Sequence, residues 1–323
     1  MTPFIVAEMS CNHLGEFARA MRLVEEAAGA GADGFKVQVW MPDTMCVSRD
    51  FTLSHGPWEG ERLVDLYRKA FTPWQWLPEL FQRARERGMV PFGAAFDAPS
   101  VDFLETLGVD RHKVASFEIT DLPLLRHMAS KGRPMYISTG AARSHHDIAE
   151  ALRIAPRGSM PVECVSEYPA PPGAFRRLTS TAPWGLSDHS PGSGVAAAAA
   201  AHGAAYIEKH LTISRGDGGP DAGFSMDPTE FARMVRDVRD AAATRFHEPL
   251  PAALQHRREA NPLARSLWVV RDTPRGEPLV LGVNVRTARP ALGLPCDTPL
   301  AEHGRSAARD LRAGEPLTTE CLS

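Results

Sequence analysis

The sequence predicts an α/β chain: a (β/α)8 TIM barrel followed by a small β-rich domain. Three observations carry this expectation. Within residues 1–243, short apolar runs alternate with helix-period segments eight times over. No GxGxxG turn of the strand-to-helix kind supports the alternative, an open doubly wound sheet. Two consecutive apolar runs each lead to a histidine, Trp184-Gly185-Leu186 to His189 and Ala205-Tyr206-Ile207 to His210. Strand C-terminal ends share one face of a parallel barrel, so both imidazoles would be aimed there.

The elements follow in order. Residues 4–9 read as the first strand. A helix over 18–29 follows, with Met21, Leu23, Val24, Ala27 and Ala28 as its apolar face. Residues 34–40 are the second strand. The stretch 41–72 is rich in Pro, Gly and Trp and exceeds an ordinary loop, so it reads as a lid or binding loop. Helix 74–87 leads to strand 90–95, helix 100–107 to strand 112–116, and helix 122–130 to strand 135–138. Helix 144–154, with Ser144 as its N-cap and Asp147 in its first turn, leads to strand 162–166. The two histidine runs are strands seven and eight, joined by an alanine-rich helix over 194–202, and helix 228–243 closes the barrel.

The pattern then breaks. Residues 244–264 are polar and read as a linker, and 265–323 are β-like. Leu267-Trp268-Val269-Val270 and Val283-Asn284-Val285 are strand-like, and Arg275-Gly276-Glu277-Pro278-Leu279 is echoed by Arg312-Ala313-Gly314-Glu315-Pro316-Leu317. So short a domain has a small core and is expected to pack on the barrel or on a second subunit.

Composition removes several function classes. With 36 basic and 39 acidic residues the net charge is -3, which gives no footprint for nucleic acid or an anionic membrane. No apolar run approaches the ~18 residues of a membrane span. The first residues lack the basic and apolar regions of a signal peptide. Cys11, Cys46, Cys164, Cys296 and Cys321 are scattered and form no CxxC pair. These features suggest a reduced, cytoplasmic protein without structural zinc.

Polar residues at the expected strand ends form a coherent set. They are Glu8, Asn12 and His13; Lys36 and Gln38; Lys113, Ser116 and Glu118; Ser138; Ser166 and Tyr168; Ser187, His189 and His210; and Asp221 in the loop beyond. Two lysines inside strands need an anionic partner, because a barrel interior does not tolerate unpaired charge. Glu8 or Glu118 could be a purely structural partner. The hydroxyls of Ser116, Ser138 and Ser187 favour a bound phosphate or carboxylate instead. Neutral imidazoles are good ligands for a divalent metal. Metal plus a phosphorylated substrate suggests Lewis-acid activation of a carbonyl, with hydrolysis and aldol-type condensation both open. Trp58, Trp74 and Trp76 could each stack on a ligand, although Trp74 and Trp76 better suit packing a helix start. His13 suits structural duty, His145-His146 a solvated helix start, and Cys11 and Cys164 buried, inert thiols.

Longer motifs are more specific. The chain resembles the sialic acid synthase family through Ala7-Glu8 with Asn12-His13-Leu14-Gly15, Gly31-Ala32-Asp33-Gly34-Phe35-Lys36-Val37-Gln38 and Lys113-Val114-Ala115-Ser116-Phe117-Glu118. Ile137-Ser138-Thr139-Gly140, Gly185-Leu186-Ser187-Asp188-His189, Ile207-Glu208-Lys209-His210 and Gly219-Pro220-Asp221 extend the likeness along the barrel. The last domain resembles the antifreeze-like (SAF) domain of such enzymes through Val285-Arg286-Thr287-Ala288-Arg289-Pro290 and Ala307-Ala308-Arg309-Asp310. Within the family the pseudaminic acid synthase branch is most similar, through Trp40-Met41-Pro42-Asp43-Thr44-Met45, Trp58-Glu59-Gly60, Cys164-Val165-Ser166-Glu167-Tyr168-Pro169 and Ser214-Arg215-Gly216-Asp217-Gly218-Gly219-Pro220-Asp221.

The resemblance implies condensation of phosphoenolpyruvate with an open-chain amino-sugar aldehyde, here 2,4-diacetamido-2,4,6-trideoxy-altrose, to give a nonulosonic acid and phosphate by C–O cleavage. It implies that His189 and His210 hold a divalent ion, Mn2+ first, with Mg2+ or Co2+ as alternatives. Lys36, Lys113, Ser116, Ser138, Ser166 and Ser187 would hold phosphoenolpyruvate. Glu8 would be a general base or orienting group, and Glu118, Tyr168 and Asp221 would face the sugar. Arg289 would reach a neighbouring subunit's active site, which implies a domain-swapped homodimer. Three positions depart from the family pattern: Ala94 where a hydroxyl is usual, Leu14 where a polar residue is common, and Ala291 in place of glycine after Arg289-Pro290. They leave two alternatives, a synthase that uses another acceptor sugar (of N-acetylneuraminate or legionaminate type, or making a specialised metabolite) and a non-catalytic sugar- or phosphate-binding relative.

Overall fold

The computed structural model describes residues 2–175, 183–244, 263–301 and 303–323. The chain divides into two compact units, Met1–Phe246 and His247–Ser323.

Eight parallel strands close the first unit into a barrel in sequence order. They are β1 (Phe4–Glu8), β2 (Gly34–Val39), β3 (Val90–Ala95), β4 (His112–Val114), β5 (Met135–Ser138), β6 (Met160–Cys164), β7 (Gly185–Asp188) and β8 (Tyr206–His210). β1 and β8 close the circle with Phe4 opposite Tyr206 and Glu8 opposite His210, and β1 meets β2 with Glu8 opposite Lys36. β7 meets β8 with Asp188 opposite Lys209. Side chains alternate along a strand, so Tyr206, Glu208 and His210 share one face and Ile207 and Lys209 the other. All five are buried.

The helices supply the outer layer. α1 (Phe17–Gly29) buries Ala20, Leu23, Val24 and Ala27. After β2 come α2 (Pro42–Met45), α3 (Leu63–Ala70) and α4 (Leu77–Glu86). α5 (Ala98–Thr106), α6 (Leu122–Ser130), α7 (His145–Ile154), α8 (Gly194–Ala201) and α9 (Pro228–Ala243) follow β3, β4, β5, β7 and β8. Among the described residues no α-helix lies between β6 and β7, only a 3-10 turn at Pro172–Ala174. Aspartates begin three helices: Asp97, Asp121 and Asp227 each accept a backbone N–H of the first turn. Asp227 and Glu230 form a reciprocal capping box. Ser144 occupies the N-cap position of α7, but its hydroxyl makes no cap bond. The Asp147 carboxylate instead accepts the Arg143 N–H at 2.9 Å.

β1 and β2 end one residue earlier than expected, and two strands differ more. β4 ends at Val114, because the chain turns into a 3-10 helix at Ser116–Glu118. β6 runs Met160–Cys164 rather than 162–166, since its pairing with β5 starts at Tyr136 opposite Met160. The neighbouring strand's hydrogen bonds, not the apolar run, set its ends. The long excursion after β2 contains a tight reversal, in which the Leu53 N–H reaches Glu61 O at 3.0 Å and the Gly60 N–H reaches Leu53 O at 2.9 Å.

The N-terminal end of the barrel is filled. The Arg111 guanidinium lies 4.6 Å from the Phe4 ring centre, 5.4 Å from Tyr136 and 5.8 Å from Phe92. Tyr136 meets Tyr206 edge-on at 4.9 Å. No described helix is long and apolar enough to cross a membrane.

The second unit is small and β-rich. β9 (Ser266–Val269) and β10 (Val285–Ala288) pair antiparallel, with Val269 opposite Val285. Its core includes Leu267, Val269, Leu279, Val285, Leu311 and Leu317. The two related segments noted in the sequence do the same job twice. Gly276 and Gly314 turn the chain at φ +85° and +91°, and Leu279 and Leu317 drop into the core. Of the expected linker, 245–262 lie outside the described residues.

Candidate active site

A cavity of about 410 Å3 opens at the C-terminal ends of the strands. Of the site residues expected from sequence, Lys36, Lys113, Ser116, Ser138, Tyr168, Ser187, His189, His210 and Asp221 line it together. Glu8, Glu118 and Ser166 stand behind that wall. Ser166 is tied to it through the Ser116 hydroxyl at 2.8 Å. Arg289 belongs to the second unit, where its Nε donates to Leu263 O at 2.5 Å.

The two lysines have different surroundings. Lys36 makes an ion pair with Glu8 and lies 3.4 Å from Glu208. Burial opposes its charge, but Glu208 and Glu8 overcome this and hold its pKa above the usual value. Lys113 is 2% exposed. Its ammonium donates to Val114 O at 2.8 Å and to Ser138 Oγ at 2.5 Å. Among the described residues no carboxylate is within ion-pair distance of it. Burial therefore pushes its pKa down.

Glu208 is the acid that sequence reasoning missed. Ser187 donates to it at 3.0 Å, the Tyr206 hydroxyl donates to its other oxygen, and Lys36 stands beside it. Burial would raise its pKa, but Lys36 and Lys113 reverse this and bring it down to about 2. Glu8 goes the other way, up to about 7, because burial outweighs its attraction to Lys36. Glu208 thus keeps its negative charge, and Glu8 titrates near neutrality. The available signal was period two: Glu208 precedes His210 by two residues, so it shares that face. Glu118 is also pushed up to about 7 by burial, and its Oε2 is buried without a hydrogen bond.

The histidine pair is placed as expected, with ring centres 5.5 Å apart. The His189 Nδ1 lies 2.8 Å from Val165 O. A carbonyl only accepts, so Nδ1 carries the proton and Nε2 keeps its lone pair. The His210 Nδ1 is buried with no hydrogen-bond partner, and Asp221 is 3.6 Å away. Burial lowers the pKa of both rings, so both are neutral at pH 7. No cluster of three or more His, Cys, Asp or Glu stands in metal-binding array among the described residues. Two neutral imidazoles, one with an orphaned nitrogen, are donors whose chemistry fits a divalent ion.

The rest of the wall is apolar. Leu53, Trp58, Leu63, Leu66 and Tyr67 come from the excursion after β2 and face Phe96, Phe117 and Phe224. The Trp58 Nε1 donates to Pro220 O at 2.9 Å, and its ring centre lies 5.4 Å from that of Tyr168. Trp74 stacks on Phe103 at 4.7 Å and Trp76 meets His13 at 5.4 Å, so both pack the start of α4. His13 is buried on Thr72 and is structural. His145 and His146 are exposed. Burial raises the thiols of Cys11 and Cys164, which keeps them protonated. Ser10 and Leu14 take left-handed backbone angles, φ 47° and 52°, as the chain leaves β1. The Ser10 hydroxyl thereby meets Asp221. Ala94 is at the cavity wall, in register with Lys113.

The arrangement can hold a small polyanion at its depth, keep a divalent ion at one side, and cover an amphipathic second ligand at its mouth. Known proteins are similar to this chain over most of its length. A family model described as the NeuB family matches residues 23–247. The pseudaminic acid synthase of Helicobacter pylori is 33% identical over 335 residues, which cover 98% of this chain and 97% of that protein. The pseudaminic acid synthase of Campylobacter jejuni serotype O:23/36 is 31% identical over 331 residues, 97% of this chain and 95% of that protein. The crystal structure of N-acetylneuraminic acid synthetase from Leptospira borgpetersenii has a TM-score of 0.69 at 29% identity, covering 80% of this chain and 91% of its own.

Proposed function

Because the chain belongs to the NeuB family, we propose that it joins phosphoenolpyruvate to 2,4-diacetamido-2,4,6-trideoxy-altrose and releases phosphate, making a nonulosonic acid of the pseudaminic type. Its relatives are named pseudaminic acid synthases, and in this reading the enzyme forms a C–C bond from phosphoenolpyruvate. The observation that carries the reading is Lys113: a buried ammonium at a cavity wall, with no carboxylate partner among the described residues, asks for an anionic ligand.

Lys113 and Lys36 would fix the anion, with the hydroxyls of Ser116, Ser138 and Ser187 around it. They would hold C3 of phosphoenolpyruvate against the acceptor's aldehyde carbon, where the new bond forms. A divalent ion at His189 and His210, Mn2+ first, would supply Lewis-acid polarisation of that aldehyde. Water adds at C2, and the C–O bond to phosphate then breaks. Glu8, with a pKa near neutrality, is suited to hold the water's proton. Tyr168 and Asp221 would meet the sugar's polar groups, with Glu118 behind them. The apolar wall suits deoxy and N-acetyl substituents.

The second unit enters this reading as an antifreeze-like domain whose Arg289 completes the site of a second copy, in a domain-swapped dimer. Cytoplasmic placement belongs to it too, on five free cysteines.

The test is phosphate release from phosphoenolpyruvate with Mn2+, offering the altrose compound and N-acetylmannosamine in parallel. Turnover with the first and loss on chelation is expected. Turnover with N-acetylmannosamine alone would move the chain to sialic acid synthesis, and silence with both would overturn the assignment. For the dimer, inactive Arg289→Ala and Lys113→Met proteins should regain activity when mixed, because one site then has both residues.

A further inference from the structure

We infer that the buried Asp188–Lys209 pair is a positioning device that sets the spacing of His189 and His210. It rests on the metal reading above. The two residues face each other in the β7–β8 register and are each followed by one of the histidines. Side chains alternate along strands, so the histidines point into the cavity while the pair lies on the other face.

Three further contacts make the pair a clamp rather than a lone bridge. The Lys209 Nζ donates to Asp188 Oδ2 at 2.8 Å and to Ser190 O at 2.5 Å. Asp188 Oδ1 accepts the Ser190 N–H at 2.8 Å and its hydroxyl at 2.6 Å. The residues before and after His189 are thus both tied to the residue before His210. His189 is also held from outside, since its carbonyl accepts the Ala170 N–H at 2.9 Å. Both charges are 1% exposed. A buried ion pair is a poor source of stability, and apolar residues of like volume serve as well or better. What a directional pair adds is register. Groups around a metal site need placement to within about 0.5 Å, and loss of an outer partner costs about 10–100-fold in metal affinity.

The test uses the double variant Asp188→Asn/Lys209→Met. Asparagine retains an oxygen for the Ser190 turn, and the change leaves no buried charge unpaired. Mn2+ affinity is read from the electron paramagnetic resonance signal of free Mn2+, without substrate, and folding from the thermal midpoint. A near-native midpoint with Mn2+ affinity about 10–100-fold weaker is expected, while metal-free phosphoenolpyruvate binding changes far less. Should the double variant not fold, Ser190→Ala, which removes only the hydroxyl's bond to Asp188 Oδ1, carries the test, with a smaller loss of Mn2+ affinity. Native Mn2+ affinity in a folded variant overturns the inference. His210→Ala is the control for the underlying reading. If it binds Mn2+ as the wild type does, the histidine site itself is refuted and the clamp with it.

Discussion

Lys113→Met separates a ligand-binding lysine from a structural one, because the two roles predict opposite effects on the ligand-free protein. The ammonium is 2% exposed and holds only Val114 O and Ser138 Oγ. Glu208 attracts this charge only from beyond ion-pair distance, and burial outweighs that attraction, so the charge is a net liability in the empty protein and a methionine of similar length removes it. The thermal midpoint of the ligand-free variant should therefore stay level or rise. Phosphoenolpyruvate binding should collapse. Truncating one side of a buried charge pair costs about 2–5 kcal/mol, and each ~1.4 kcal/mol is tenfold, so Kd should rise roughly 30-fold at least. Titration calorimetry measures the affinity and scanning calorimetry the midpoint. There is also a pH signature. Burial lowers the folded-state pKa, while the unfolded lysine titrates near ~10.4. In the window between them the unfolded chain binds the extra proton, so this group's share of stability rises with pH. That rise should vanish in the variant. Loss of several kcal/mol of stability with native phosphoenolpyruvate affinity would refute the argument, since that is how a broken structural pair behaves.

Three other predictions follow from single residues. Glu8 titrates up to about 7, so kcat should climb as pH rises through that value, and Glu8→Gln should lose this limb together with ~10²–10⁴ in rate; a limb that survives in the variant belongs to another group. Between an unfolded pKa of ~4.3 and its folded value, Glu8 holds a proton only in the folded chain, so its share of stability falls as pH rises there. Ala94→Ser adds a hydroxyl at the cavity wall beside Lys113. A hydrogen bond to a charged group is worth about 1.5–3 kcal/mol, so phosphoenolpyruvate should bind roughly tenfold tighter or better, and an unchanged Kd by calorimetry would show that the position does not face the anion. Gly219 has φ +107°, and a Cβ there would stand 2.4 Å from Leu14 Cδ2. Gly219→Ala should cost on the order of 1–3 kcal/mol, read as a lower thermal midpoint, and a native midpoint would show that the loop re-forms without strain.

The barrel was legible because its periodicities are physical. Strand runs and helix faces such as Leu23, Val24 and Ala27 mark where apolar surface must meet. The histidine exits were legible for the same reason, since a strand's end has a fixed place in a parallel barrel. Glu208 was not, because a charged residue inside a short run looks solvated until closure against β1 and β7 buries it. The apolar wall was half legible. Residues 41–72 announced a binding loop by length and composition, but only the folded excursion shows that Leu53, Trp58, Leu63, Leu66 and Tyr67 face the cavity. The end of β6 was set by its neighbour, with Tyr136 pairing opposite Met160, and such pairing is invisible one residue at a time. The left-handed turns at Ser10 and Leu14 were also hidden, since neither residue type announces that conformation.

The filled floor of the barrel has a kinetic consequence. Arg111 wedged among Phe4, Phe92 and Tyr136 fills that end among the described residues, so the cavity opens at the other end. Traffic in it is last in, first out. A reactant seated on Lys113 and Ser138 must arrive before the mouth is taken, and a fragment cut loose beside those residues must wait for the larger product to leave. Under the proposed function the substrates would add in a compulsory sequence, and phosphate, as the innermost product, would compete with the first reactant alone and report from outside which ligand sits deepest.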